Sequence, residues 1–371
     1  TEGVHTYNIP ALIVAPDGTL LAFCEARRES KYDASPADVV LKRSADGGRT
    51  WGPRQIVFAG QGNDAIMNAC PVVDGNRILV FGMIAHKVGE WRHRYLQVQS
   101  TDDGKTWSAP EDITAAVGNQ TFIGGPGVGI RMRGGRLVIP GCATELAANP
   151  PAAEPGVKFR EESRSGSYAC ALYSDDGGRT WRAGRPVTAP WSNECQVVEL
   201  GDGSLLLNWR HQFYDHAKHP GCRGSAISRD GGESWEPPVM ERALNEMACQ
   251  AGLTRWVSPA DGRARLIFSN PDARPGPDGG ARTRLTVKLS EDEGRTWPYA
   301  HLVEAGPAAY SCPAVLPDGT LALLYECGEG YSRERLRLAR FTVDWIKQNT
   351  GTGKQLQPCA ERVTNQGGKH A

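Results

Sequence analysis

An eight-residue pattern, S-x-D-x-G-x-[TS]-W, recurs five times in this chain: Ser44 to Trp51, Ser100 to Trp107, Ser174 to Trp181, Ser228 to Trp235 and Ser290 to Trp297. Successive copies begin 56, 74, 54 and 62 residues apart. That interval accommodates one four-stranded sheet with variable loops per repeat. Each copy has the chemistry of a tight turn, in which the aspartate accepts local N–H groups, glycine takes a positive φ and tryptophan covers the turn. Five such turns in five repeats cannot all face one site, so these aspartates are read as structural. The pattern also lacks the terminal glutamate of an EF-hand, which argues against calcium loops.

Short alternating apolar runs such as Val39-Val40-Leu41, Leu96-Gln97-Val98 and Leu285-Thr286-Val287 lead into the repeats and read as strands. A second turn signal joins apolar runs at Pro16-Asp17-Gly18, Gly201-Asp202-Gly203 and Pro317-Asp318-Gly319, marking the inner hairpins of the repeats. Helical periodicity is confined to a short stretch from Phe341 to Lys347. The chain is therefore expected to be all-β. Radial repetition, as in a propeller, suits it better than a sandwich, which has no reason to repeat one turn at sheet-length intervals. Residues 143–167 and 271–281, rich in proline or glycine, read as loops. One domain is expected over residues 1–345, followed by a polar, partly disordered tail over 346–371.

The 42 basic and 42 acidic residues cancel, so no broad field gathers nucleic acid, and an anionic ligand must be held by a few placed cations. No apolar run is long enough to suggest a membrane span, and the first residues lack the pattern of a secretion leader. The ten cysteines include no C-x-x-C pair, and most lie in apolar runs, so they read as buried thiols and not as a zinc site. The compartment is left open: secreted or periplasmic if a leader has been removed, cytoplasmic otherwise.

More specific motifs run through the chain. Tyr7-Asn8-Ile9-Pro10-Ala11-Leu12 is followed by Leu20 to Arg27, Met67-Asn68-Ala69-Cys70-Pro71, Thr121-Phe122, Asn193-Glu194-Cys195-Gln196, Asn208-Trp209-Arg210-His211, Cys249-Gln250, Arg282 before Leu285, and Ala309-Tyr310-Ser311. Together these resemble the exo-α-sialidase family, over nearly the whole chain to about Phe341. The resemblance implies a six-bladed β-propeller in which the five repeats are Asp-boxes. It also implies a retaining glycosidase that releases a terminal α-linked sialic acid, or a related 2-keto sugar acid, without metal or cofactor. Its partners would be sialylated or other acidic-sugar-terminated glycans.

By that resemblance Tyr310 is the nucleophile, Glu194 its base and Asp33 the acid and then base, with Asp38 the competitor for Asp33. Of the three arginines with which the family holds the sugar carboxylate, two are matched, by Arg210 and Arg282, with Arg284 the fallback for Arg282. Strand alternation would put Arg282 and Arg284 on one face, so register does not separate them. A guanidinium suits this task because its planar fork donates two parallel bonds to a carboxylate. Asp64, Met67 and Phe122 are expected to face the same cavity.

The chain departs from the family at Asn8, which stands where the first arginine belongs. Glu326 matches the glutamate that steadies that arginine and is expected to bond Asn8 instead, while Arg27 or Lys31 could reach in to restore the charge. Three accounts of Asn8 stand: a related sugar acid held differently, a weakened or inactive sialidase, or an altered residue. Two other classes of function stand beside hydrolysis: a non-catalytic propeller that binds acidic glycans, and a protein-interaction platform.

Overall fold

The computed structural model describes residues 3–33, 35–88, 90–117, 121–144, 167–189, 191–211, 221–273 and 282–348. The tail from Asn349 lies outside the described residues, as do residues 145–166 and 274–281, which form most of the two expected loops. Among the described residues, no helix is long and apolar enough to cross a membrane.

Strands occupy most of the described chain, and their antiparallel pairings sort them into six consecutive groups. Group one comprises Thr6–Val14, Leu20–Arg27, Ala37–Ser44 and Gln55–Phe58, and group two Ala65–Asp74, Arg77–Val88, Glu90–Ser100 and Glu111–Asp112. In group three the inner strand is split into Thr121–Gly124 and Ile130–Arg131, both paired with Leu137–Thr144, before Ser167–Ser174 and Arg182–Ala183. Group four comprises Ser192–Glu199, Leu205–His211, Cys222–Ser228 and Val239–Asn245. Group five takes Gly252–Val257, Ala264–Pro271, Thr283–Ser290 and the first half of the long strand Tyr299–Val315. The second half of that strand opens group six, which continues with Leu321–Cys327, Arg335–Phe341 and the short helix Val343–Lys347.

The apolar core shows how the groups meet. One cluster joins Phe23 and Leu41 of group one to Ile78 and Val80 of group two, and a second joins Val72 and Leu79 to Phe122 and Ile139 of group three. Further clusters join groups three to four, four to five and five to six. The last joins Leu12 and Leu20 of group one to Cys312, Ala314 and Leu324 of group six, which closes the ring. This is a propeller of sheets packed face to face, with no open edge between its first and last blades.

Each Asp-box lies at the turn leaving the third strand of its blade, where the aspartate carboxylate accepts bonds from backbone N–H groups and a hydroxyl. Asp46 accepts from the amides of Arg49 and Thr50 at 2.9 Å each and from the Thr50 hydroxyl at 2.6 Å. The box tryptophan packs into the interface with the preceding blade: Trp107 against the cluster of blades one and two, Trp181 two and three, Trp235 three and four, Trp297 four and five, and Trp51 six and one. Blade six has no box. At the interface of blades five and six, Trp345 of the terminal helix packs instead, beside Phe341 and stacked on His301. Ile346 is fully buried there, so the packed chain runs past residue 345 to the end of this helix.

Candidate active site

The inner strands start at one end of the ring axis, where Cys195 N donates to Gly125 O at 3.3 Å and Ser311 N to Gln250 Oε1 at 3.0 Å. Their backbone is irregular there. Pairing shifts register between Asn8 and Ala11, Met67 and Cys70, Ser192 and Cys195, and Ala308 and Ser311. Left-handed φ values occur at Ile9, Asn68, Trp191 and Ala248. A bulge re-aims the side chains beside it. Ile9 at φ 56° is a strained position for a β-branched residue, and such strain collects at functional sites.

Three of the expected residues meet directly. The Tyr310 hydroxyl donates to Glu194 Oε1, and Arg210 donates to Glu194 Oε2 at 2.5 Å and to the Tyr310 hydroxyl at 3.0 Å. Arg282 lies over the Tyr310 ring at 5.3 Å and donates to Ala248 O at 2.5 Å. Burial, and then the Glu194 carboxylate, push the Tyr310 phenol well above its usual range, against the opposing pull of Arg210 and Arg282. Burial disfavours the charge on Arg210, yet Glu194 and Tyr310 outweigh it and hold the guanidinium protonated. The buried Arg210 Nε has no hydrogen-bond partner, leaving one donor of the fork unused. Arg284 is exposed and sits at φ 60°, next to a register shift between Thr283 and Leu285. That bulge breaks the alternation expected from sequence, and it is Arg282 that reaches the tyrosine.

A second cluster lies between blades one and two. Arg27, buried, donates through Nε and Nη2 to Glu25 Oε2 at 3.0 and 2.7 Å and pairs through Nη1 with Asp33 at 2.9 Å. Asp33 itself is 76% exposed on its loop. Its competitor Asp38 is occupied by the Gly60 amide at 2.8 Å and Arg28 at 2.7 Å, a structural engagement. Met67 is half-buried at its bulge, and the Asp64 carboxylate takes the Gln61 amide of its own turn at 3.4 Å. Phe122 does not face a cavity: its ring is 2% exposed and packs edge-on against Phe81 in the core of blades two and three.

Asn8 departs furthest from expectation. Its side chain is 0% exposed, and neither amide atom has a hydrogen-bond partner. Glu326 does not bond it. Both Glu326 oxygens take backbone amides instead, Oε1 that of Ile9 at 2.8 Å and Oε2 that of Tyr310 at 3.2 Å. Nor do the two expected cations replace the missing charge, since Arg27 is spent on Glu25 and Asp33, and Lys31 lies over the Tyr331 ring at 5.1 Å. A cation does stand near Glu326: Arg333, with Nε 4.0 Å from Oε2, a residue sequence reasoning did not single out. Two buried pairs were also missed, Glu25 with Arg27 and Glu246 with Arg223, both at 2.7 Å. The first left a signal, a charged pair at alternate positions in the otherwise apolar run Leu20–Arg27.

Among the described residues no group of histidine, cysteine and carboxylate side chains could hold a metal ion. A cavity of about 470 Å³ lies at the other end of the axis, lined by the strand ends Leu12 to Val14, Val197 to Glu199 and Pro313 to Val315, away from Tyr310.

The profile of the BNR repeat-like domain matches residues 4–326. A sialidase of Micromonospora viridifaciens is 34% identical over 93% of this chain and 53% of its own length, and one of Bacteroides fragilis 32% identical over 86% and 60%. The chain thus spans little more than half the length of these two relatives. Sialidase-3 of Bos taurus is 30% identical over 91% of this chain and 89% of its own. Among solved structures, the Hadza microbial sialidase Hz136 superposes with a TM-score of 0.78 at 28% identity, covering 93% of this chain and 67% of that one. With these relatives, and with tyrosine, glutamate and two arginines converging at one end of a six-sheet ring, the chain belongs to the exo-α-sialidase family.

Proposed function

We propose that this protein is a glycoside hydrolase that releases a terminal α-linked sialic acid, or a related 2-keto sugar acid, with retention of configuration through a tyrosine-linked intermediate. The observation that carries this reading is the hydrogen bond from the Tyr310 hydroxyl to Glu194, with Arg210 touching both. A phenol needs a base to react at neutral pH, and Glu194, which accepts its hydrogen bond, takes the proton as the oxygen attacks the anomeric carbon. The tyrosine is neutral beforehand, so it approaches a carbon bearing a carboxylate without the repulsion an aspartate or glutamate would meet. Asp33, on its exposed loop, gives a proton to the leaving glycosidic oxygen. It then takes one from the water that attacks the anomeric carbon and frees Tyr310, to which Glu194 returns a proton. Arg210 and Arg282 would meet the substrate carboxylate.

The test is a panel of aryl α-glycosides of sialic acid, its deaminated analogue and shorter keto-acid sugars, with NMR of the first-formed anomer. Turnover with retention is expected. An inverted first product removes Tyr310 as nucleophile. A second reading, a propeller that binds acidic glycans without turnover, is favoured by one observation, the uncharged and unpartnered Asn8. Binding of the sugar acid with no hydrolysis of any glycoside would establish that reading in place of the first.

A further inference from the structure

Three buried glutamates at the site end of the ring share one arrangement. Each offers one oxygen to a backbone amide in or just before an inner strand: Glu25 to Asn68 at 2.8 Å, Glu246 to Cys249 at 3.0 Å and Glu326 to Ile9 at 2.8 Å. Each also has an arginine. Arg27 and Arg223 close on their glutamates at 2.7 Å, and both are completely buried. The third pair is different: Arg333 stands off at 4.0 Å and is 26% exposed, while the Glu326 oxygen nearest it is bonded to the Tyr310 amide. Among the described residues Arg333 has no closer partner.

We propose that Arg333 binds the substrate carboxylate together with Arg210 and Arg282, supplying from blade six the cation that Asn8 does not supply from blade one; this rests on the sialoside reading above. Two further observations support the assignment. Arg333 lies on the turn between the strands Leu321–Cys327 and Arg335–Phe341, which opens at the end of the ring where Tyr310 sits. That turn is also preorganised. The Glu334 carboxylate accepts the amides of Glu329 at 2.9 Å, Gly330 at 2.8 Å and Tyr331 at 3.1 Å, and a Cβ on Gly328 would come within 2.0 Å of Tyr331 O. Across the mouth, Lys31 lies over the Tyr331 ring, so the Arg333 turn is fastened to the loop that carries Asp33. A guanidinium on a shaped turn, near a buried carboxylate but not closed on it, can bridge Glu326 and a ligand carboxylate at little cost in ordering.

The test crosses a protein change with a ligand change. Binding of an unsaturated sialic acid analogue and of its carboxamide is measured by calorimetry for the wild type and for Arg333→Gln. The substitution should weaken the carboxylate ligand by about tenfold or more and the carboxamide by less than about threefold, with the melting temperature unchanged. Equal losses for both ligands, or no loss for either, overturn the assignment while leaving the sialoside reading intact. A wild type that binds neither ligand overturns the sialoside reading and the assignment with it. Should the glutamine variant not fold, Arg333→Lys carries the same comparison. Lysine keeps the charge but not the fork, so a selective loss for the carboxylate ligand is again expected, and an unselective one again overturns the assignment.

Discussion

The Tyr310 phenol is held between a carboxylate that accepts its hydrogen bond and two guanidiniums that favour its anion, and burial decides the balance toward the protonated form. A folded-state pKa raised above the unfolded value means that the contribution of the protonated phenol to stability is complete below about 10 and is lost only as the pH rises through the folded value. In the proposed mechanism the nucleophile is therefore supplied near neutrality by proton transfer to Glu194 and not by direct ionisation. The pH profile of kcat should show no rise toward pH ~10 of the kind a titrating phenol would give; such a rise would count against Glu194 as the base. Glu194→Gln should lower kcat by about 10²- to 10⁴-fold, the usual worth of a general base, and Tyr310→Phe by at least as much. Combined, the two changes should cost little more than the worse of them, because they disable one unit. Asn8 makes the opposite kind of statement. Its amide is buried with no partner, and such a group costs about 1–3 kcal/mol. Asn8→Leu, similar in size and with nothing to satisfy, should raise the denaturant midpoint. A fall would mean that the amide has a partner after all.

Among structural elements, the Asp-box works as a turn and a clasp at once. Its carboxylate gathers the turn, and its tryptophan reaches the neighbouring blade. The Thr50 hydroxyl, followed by the Thr50 amide, holds the Asp46 carboxyl well below its usual range, so its contribution is present above an unfolded pKa of about 3.9 and is lost as the pH falls through the folded value. The site lies near the water, and screening keeps that contribution small. The tryptophan carries more. Blade six ends without a box, and the interface of blades five and six takes Trp345 from the helix Val343–Lys347, capped by the Thr342 hydroxyl at 3.1 Å. Trp345→Ala should therefore destabilise the protein as a box tryptophan does, by about 2–4 kcal/mol, less than a fully buried tryptophan because it is only partly covered. Equilibrium denaturation measures it, and a loss no larger than that of a surface substitution would show that the helix is not the clasp of this interface.

At the scale of the molecule the ring is closed by side chains and not by a covalent staple. No disulfide joins the nine described cysteines, all of them buried, and burial pushes the thiols of Cys24, Cys170, Cys249 and Cys312 up to about 12. Thiolate is the reactive form, so these nine should resist a thiol reagent in the native protein and react together on unfolding. Stability should be the same with and without reductant. Fast labelling of several of them under native conditions would mean that the blades open far more readily than the core packing allows.

The sequence alone carried the repeat, and with it the blades, because an Asp-box is satisfied within five residues of its own aspartate and so leaves its mark at a fixed spacing. It also pointed to Glu194, Arg210 and Tyr310, which lie in short motifs on inner and second strands. It could not separate Arg282 from Arg284, since alternation assumes a regular strand and the positive φ at Arg284 breaks it. It placed Phe122 at the cavity, whereas the ring fills the interface of two blades. The contacts around Asn8 were out of reach for a plainer reason. Glu326 meets Ile9 across 317 residues of chain, where blade six closes on blade one, and no local spacing encodes a contact made only when a ring shuts. Only the tertiary structure could leave the Asn8 amide alone and set Arg333 beside the carboxylate that steadies Tyr310.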